Sequence, residues 1–200
     1  MGETKQAGVL RLGLTLAAFA AAACVALAFV YQGTKGKIAE NQQKELQAAL
    51  GALFSEADQF PPAADMPESP DSAVSFEEAY EARQDGELIG MALRVSRGSY
   101  GGPLKVLVGV SAGGTITGVR ILEHQDTPGL GANAASPSYF VDRSRGITFT
   151  GQFREKPVSD PFEVKTDVEA ITASTITSRA VADAVKAAGR AAASYLGDNR

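Results

Sequence analysis

One cysteine and one histidine are all that 200 residues contain of those two types. A lone Cys24 excludes an intramolecular disulfide and a cysteine-based metal site. The carboxylates do not fall at spacings that would build a metal site around His124 either, and a single histidine at a strand end reads as structural. No Lys/Arg cluster accompanies the net charge of −4, so nucleic acid is not expected as a partner. The G-x-x-x-x-G-K-[ST] phosphate loop is missing, and no Ser or Cys has an evident partner base. Ordinary hydrolytic chemistry has no support.

Charge itself is missing from "LGLTLAAFAAAACVALAFVY", the twenty residues Leu12 to Tyr31. A helix of that length rises about 30 Å, the thickness of a bilayer's hydrocarbon core. A cleaved signal peptide is the competing reading, but signal cores usually run about 7–15 residues. Here "CVALAFVY" stays apolar beyond any Ala-Ala cut, and the same objection meets lipid attachment at Cys24. An uncleaved anchor is expected, with membrane lipid around it. Lacking Asp, Glu, Lys, Arg and His, such a helix cannot alone carry protons or cations, so any transport needs partner subunits. Lys5 and Arg11 on one side and Lys35 and Lys37 on the other leave orientation undecided by charge.

Beyond the anchor, Ile38, Leu46, Leu50, Leu53 and Phe54 recur at mostly helical spacing, which predicts a juxtamembrane amphipathic helix. The four prolines within residues 61 to 72 mark a linker or irregular loop. From Phe76 the period becomes two. "SFEEAYEA" and "ELIGMALRVS" flank a turn with Asp-Gly at its tip, and "KVLVGVS" and "TITGVRILEH" flank "AGG". These segments predict an antiparallel meander of four strands, with further short strands around 146–149 and 162–164. The segment "SRAVADAVKAAGRAAASYLG" predicts a helix with Val181, Val185, Ala188, Ala192, Tyr195 and Leu196 on one apolar stripe and Gly197 as its stop. The fold class is α+β: one N-terminal transmembrane helix, then a domain with an antiparallel sheet and a C-terminal helix.

Just before that helix, "ITASTITSRAV" sets five hydroxyls, Thr172, Ser174, Thr175, Thr177 and Ser178, into seven positions. One or two would suffice for helix capping, and part of the cluster suits a strand. The excess fits an anion site, because a helix N-terminus supplies free N–H donors and Arg179 lies in the first turn. A phosphate group is a suitable occupant.

This stretch, together with "GSYGGPLKVLVGVSAGGTITGVRILEHQDTPGLGA" and the single anchor, resembles the FMN-binding domain family. More closely, it is similar to the G subunits of Rnf-type electron-transport complexes, whose sisters are the C subunits of Na⁺-translocating NADH:quinone reductase. The family motif, approximately D-x-x-[ST]-G-A-T-x-[ST], joins its Thr to FMN by a phosphoester bond. Thr175 is the matching residue, with Glu169 in place of Asp and Ala173-Ser174 in place of Gly-Ala. The resemblance implies that Ser174, Ile176, Thr177 and Ser178 lie about the cofactor's phosphate. It also implies that Thr127, Pro128, Gly129, Leu130 and Gly131, in "DTPGLG", lie against the flavin.

The implied protein is a membrane-anchored flavoprotein subunit relaying electrons through covalent FMN. Its partners would be the membrane and iron–sulfur subunits of an Rnf-type complex, and a flavin transferase would attach the cofactor. Residues 1–11 would be cytoplasmic, 12–31 transmembrane, 32–75 a juxtamembrane helix and linker, and 76–200 a periplasmic FMN-binding domain, held at the bacterial inner membrane. Two other readings remain open: a binding or assembly module of the same fold without covalent flavin, and the FMN subunit of a related NADH:quinone reductase.

Overall fold

A computed structural model describes residues 3–198, which divide into two compact units, the second beginning at Leu46. Helix α1 spans Glu3–Leu53. In the first unit its apolar side chains are bare: Leu16 and Phe19 are 73% and 75% exposed. Such a surface, with a mean hydropathy of 2.3 in its richest window, is long and apolar enough to cross a membrane. The hydroxyls of Thr15 and Thr34 donate to the carbonyls of Arg11 and Val30 one turn back, so neither needs water.

The second unit is built on four antiparallel strands, β1 (Val74–Gln84), β2 (Glu87–Gly98), β3 (Pro103–Ser111) and β4 (Ile116–Glu123), in that spatial order. The meander expected from the period-two segments is therefore present. Its first turn has Asp85 and Gly86 at φ 50° and 87°, the left-handed pair that matches the twist of a two-residue hairpin.

Both faces of the sheet are covered. Met91, Leu93 and Val95 of β2, with Val106, Val108 and Val110 of β3, pack under helix α2 (Thr175–Asp198). All six residues of the predicted α2 stripe are buried, and its many alanines let the helix lie close to the strands. On the opposite face, Ala82, Ala92 and Leu107 meet Leu46, Leu50, Leu53 and Phe54 from the last turns of α1 and the residue after it. The connecting segment adds to that unit: Gln59 and Pro62 bridge to Arg83 and Tyr80 of β1.

Between β4 and α2 the chain runs through two short 3₁₀ turns, Gly131–Ala135 and Gly151–Phe153, and a small hairpin, β5 (Phe140–Asp142) with β6 (Ile147–Thr148). The short strand expected at 146–149 thus exists. At 162–164 there is only an isolated bridge from Val164 to Val168, because Phe162 turns its ring into the core beside Phe153. Helix α2 also differs at both ends from the sequence reading. It begins at Thr175, inside the hydroxyl cluster, and continues through Gly197 to Asp198.

Candidate functional site

The two motifs that stand more than forty residues apart in sequence line one cavity of about 470 Å³. From the first come Asp126, Thr127, Leu130 and Gly131, and from the second Ala173, Ser174, Thr175, Ile176 and Thr177, with Tyr100 completing the wall.

Local chemistry explains each contribution. Leu130 N–H donates to the Thr127 carbonyl at 3.1 Å, with Pro128 and Gly129 (φ 77°) between them. Proline at the second place and a left-handed glycine at the third make a type II turn. Pro128 and Gly129 therefore shape the loop without lining the cavity, while Thr127 and Leu130 reach it. Gly131 packs against the second motif so closely that a Cβ there would stand 2.6 Å from Thr177 Oγ1 and 2.7 Å from Asp126 Cβ.

Asp126 is nearly buried and accepts hydrogen bonds from Ser99 Oγ (2.7 Å) and the Gly101 N–H (2.8 Å). It thereby holds the turn that presents Tyr100, whose ring is 73% exposed at the rim. Tyr100 escaped the sequence reading because it belongs to a glycine-rich connection that carried no signal beyond its turns. Leu130 and Ile176 share that exposed rim.

Thr175 is the first residue of α2 and is half-buried. The N–H groups of Thr175, Ile176 and Thr177 have no acceptor among the described residues, as expected of a helix's first turn. Thr177 is 2% exposed, and its hydroxyl likewise has no hydrogen bond among the described residues while the residue lines the cavity. Ser178 behaves differently. Fully buried, its hydroxyl donates to the Ser174 carbonyl (2.9 Å) and accepts the Ile171 N–H (3.0 Å), so it braces the loop behind the site. Arg179 is exposed and does not line the cavity. Ala173 has φ 60°, the left-handed region that glycine takes without cost.

These features fit FMN: unsatisfied donors and the unbonded hydroxyl of Thr177 at the cavity wall where a phosphate charge would lie, and an apolar rim of Tyr100, Leu130 and Ile176 for a flat ring system.

Other chemistry finds little footing. The string G-x-S-x-G does occur, at Gly109 to Gly113, but Ser111 closes the β3–β4 hairpin with its Oγ 2.8 Å from Thr115 Oγ1. A hydrolase nucleophile sits on a strand-to-helix elbow beside a base, and neither condition holds here. Among the described residues no group of His, Cys, Asp and Glu gathers to hold a metal. His124 lies outside the cavity lining, with a buried Nδ1 that has no partner among the described residues.

Comparison with known proteins agrees with this geometry. Residues 99–189 match the FMN-binding domain, and residues 5–53 match the RnfG N-terminal region. The G subunit of the Na⁺-translocating ferredoxin:NAD⁺ oxidoreductase complex of Acetobacterium woodii is 35% identical over 190 residues, 88% of each chain. The chain belongs to this family of G subunits. Another member, the G subunit of the ion-translocating oxidoreductase complex of Vibrio cholerae, is 32% identical over 185 residues, 88% of this chain and 86% of its own. The G subunit of the proton-translocating ferredoxin:NAD⁺ oxidoreductase complex of Clostridium ljungdahlii is 28% identical over 179 residues, 86% and 85% of the two chains. The family's names thus include complexes of both Na⁺ and H⁺.

Proposed function

We propose that the protein is a membrane-anchored flavoprotein subunit of an Rnf-type ion-translocating complex and relays electrons through FMN joined to Thr175 by a phosphoester bond. The observation that carries this reading is the position of Thr175. It is the half-exposed hydroxyl at the start of α2, in the cavity where the two family motifs converge.

FMN, once bound, supplies one- or two-electron redox chemistry. The chain's own residues do the rest. The first-turn N–H groups of α2 and the Thr177 hydroxyl would hold the phosphate, where a negative charge gains about 0.3–1 kcal/mol from the helix dipole. Tyr100, Leu130 and Ile176 would hold the ring system and keep water from part of it. A covalent link retains a cofactor that would otherwise be lost outside the cytoplasm. We place residues 1–11 in the cytoplasm, 12–31 across the inner membrane and the FMN-binding domain in the periplasm, with ion movement assigned to partner subunits.

The test is co-expression with a flavin transferase followed by denaturing electrophoresis and intact mass. The wild type is expected to fluoresce and to gain FMN less one water, and Thr175→Ala to do neither. A dark wild type, or a Thr175→Ala variant as bright as wild type, rejects the reading. The departures at Glu169, Ala173 and Ser174 favour, as a second reading, a module of the same fold without covalent flavin; the same gel separates the two.

A further inference from the structure

The segment leading into Thr175 is tied down by two side chains that lie beyond the cavity. Gln152 sits between Phe149 and Phe153, whose rings are fully buried and meet edge to face at 5.8 Å. Its amide oxygen accepts the Glu169 N–H at 2.7 Å, while its amide nitrogen donates to the carbonyls of Glu169 (3.1 Å) and Phe149 (2.9 Å). This pattern fixes which end of the amide is oxygen, because a main-chain N–H needs an acceptor and a carbonyl needs a donor. Both main-chain groups of Glu169 are therefore occupied by one side chain. The Glu169 carboxylate is exposed beside a second cavity of about 590 Å³, with no hydrogen bond or ion pair among the described residues.

Ser178 closes the other end. By taking the Ile171 N–H and giving its own proton to the Ser174 carbonyl, it fastens the loop to the first turn of α2. Among the motif side chains that these clamps leave without a hydrogen bond are the exposed Glu169 carboxylate, which feels the charge of Arg145 across the second cavity, and the Thr175 hydroxyl, the acidic and the acceptor groups of the motif.

We propose that Gln152 and Ser178 are positioning residues for flavin attachment. They hold residues 169–174 in one conformation, so that a transferase meets the Glu169 carboxylate and the Thr175 hydroxyl as a fixed pair. This rests on Thr175 as the acceptor. In the step, Thr175 Oγ forms a bond to the phosphorus of the FMN half of a flavin dinucleotide. The pyrophosphate P–O bond breaks with its electrons leaving on the nucleoside monophosphate, and the hydroxyl proton passes to a base of the transferase. Neither positioning residue touches these atoms. They remove the need to order the acceptor loop in the encounter, which is where orientation acts on rate.

The experiment uses the full-length protein in detergent with transferase and FAD, measuring attachment rate against acceptor concentration. Gln152→Met and Ser178→Ala are expected to lower kcat/KM for attachment by about tenfold to a hundredfold, while cooperative melting persists. In the flavin-free protein, hydrogen exchange at the Glu169 amide should quicken in the first variant and at the Ile171 amide in the second. Gln152→Glu keeps an acceptor for the Glu169 N–H and should lose less. Attachment at the wild-type rate despite faster exchange overturns the positioning role. Slow attachment that comes with a lost melt in both Gln152 variants also overturns it, reducing the residue to a fold support. A wild type that takes no flavin fails the Thr175 acceptor itself, and this inference with it.

Discussion

Gly131 and Thr177 touch so closely that a methyl group on the first would stand 2.6 Å from the hydroxyl oxygen of the second. The contact joins the turn made by Thr127 to Leu130 to the start of α2, and it sets the width of the cavity between them. Gly131→Ala is expected to push these segments apart at a cost of about 1–3 kcal/mol. Denaturant unfolding should show the lower midpoint, and flavin yield should fall with it. A variant of unchanged midpoint and yield would mean that the loop gives way freely.

Ala173 stands in the left-handed region with φ 60°, where an L side chain costs about 1–2 kcal/mol. Ala173→Gly relieves that strain but leaves a more flexible unfolded chain, an opposing effect of about 0.4–1 kcal/mol. The expected balance is a gain of between about 0 and 1.6 kcal/mol, read as a higher melting temperature, with attachment at Thr175 undiminished. A lower melting temperature would show that the alanine is unstrained.

The Tyr195 hydroxyl donates to Glu81 Oε1 at 2.7 Å and so links α2 to β1, while Arg83 approaches the other oxygen at 2.7 Å. Burial by itself pushes the Glu81 carboxyl up, but the bonds from Tyr195 and Arg83 outweigh it and hold the group below its ordinary 4.5. A depressed carboxylate contributes stability above its unfolded value, lost as pH falls through the folded one. Tyr195 moves the other way, raised above 10 by burial and then by Glu81, so its contribution is present below 10 and lost as pH rises through the folded value. Tyr195→Phe should cost about 1.5–3 kcal/mol at neutral pH and flatten the acid limb below 4.5. Urea titrations across that range decide it; equal stability at neutral pH would deny the bond its weight.

For the anchor, the expected result is retention of residues 1–31 in the mature chain and extraction from membranes only by detergent. Protease added to spheroplasts should remove the FMN-binding domain. Intact mass reports the first point directly, and a domain that survives until the membrane is broken would reverse the orientation.

Much of this architecture was legible in short-range pattern. Asp85-Gly86 announced a hairpin because few residues accept its dihedral angles, and the α2 stripe announced a buried face because helical spacing needs no distant partner. Thr175 and the Thr127–Gly131 loop were legible only through a family motif. What stayed hidden depends on contacts across the chain. Gln152 reaches seventeen residues ahead to Glu169, and nothing in its neighbours marks it. Ser178 looked like one more hydroxyl in a series, yet its burial turns it inward to brace the loop. Phe162 lies in a segment whose pattern suits a strand, but the aromatic core claims its side chain.

The end of α1 also defines where the water-soluble part of this protein can be cut free. Leu46, Leu50, Leu53 and Phe54 cover the sheet face formed by Ala82, Ala92 and Leu107, so that face is finished by residues far ahead of the flavin motifs. An excised domain that starts within the prolines at 61–70 would carry an open apolar face into solution and self-associate. One that starts ahead of Leu46 takes its own cover with it.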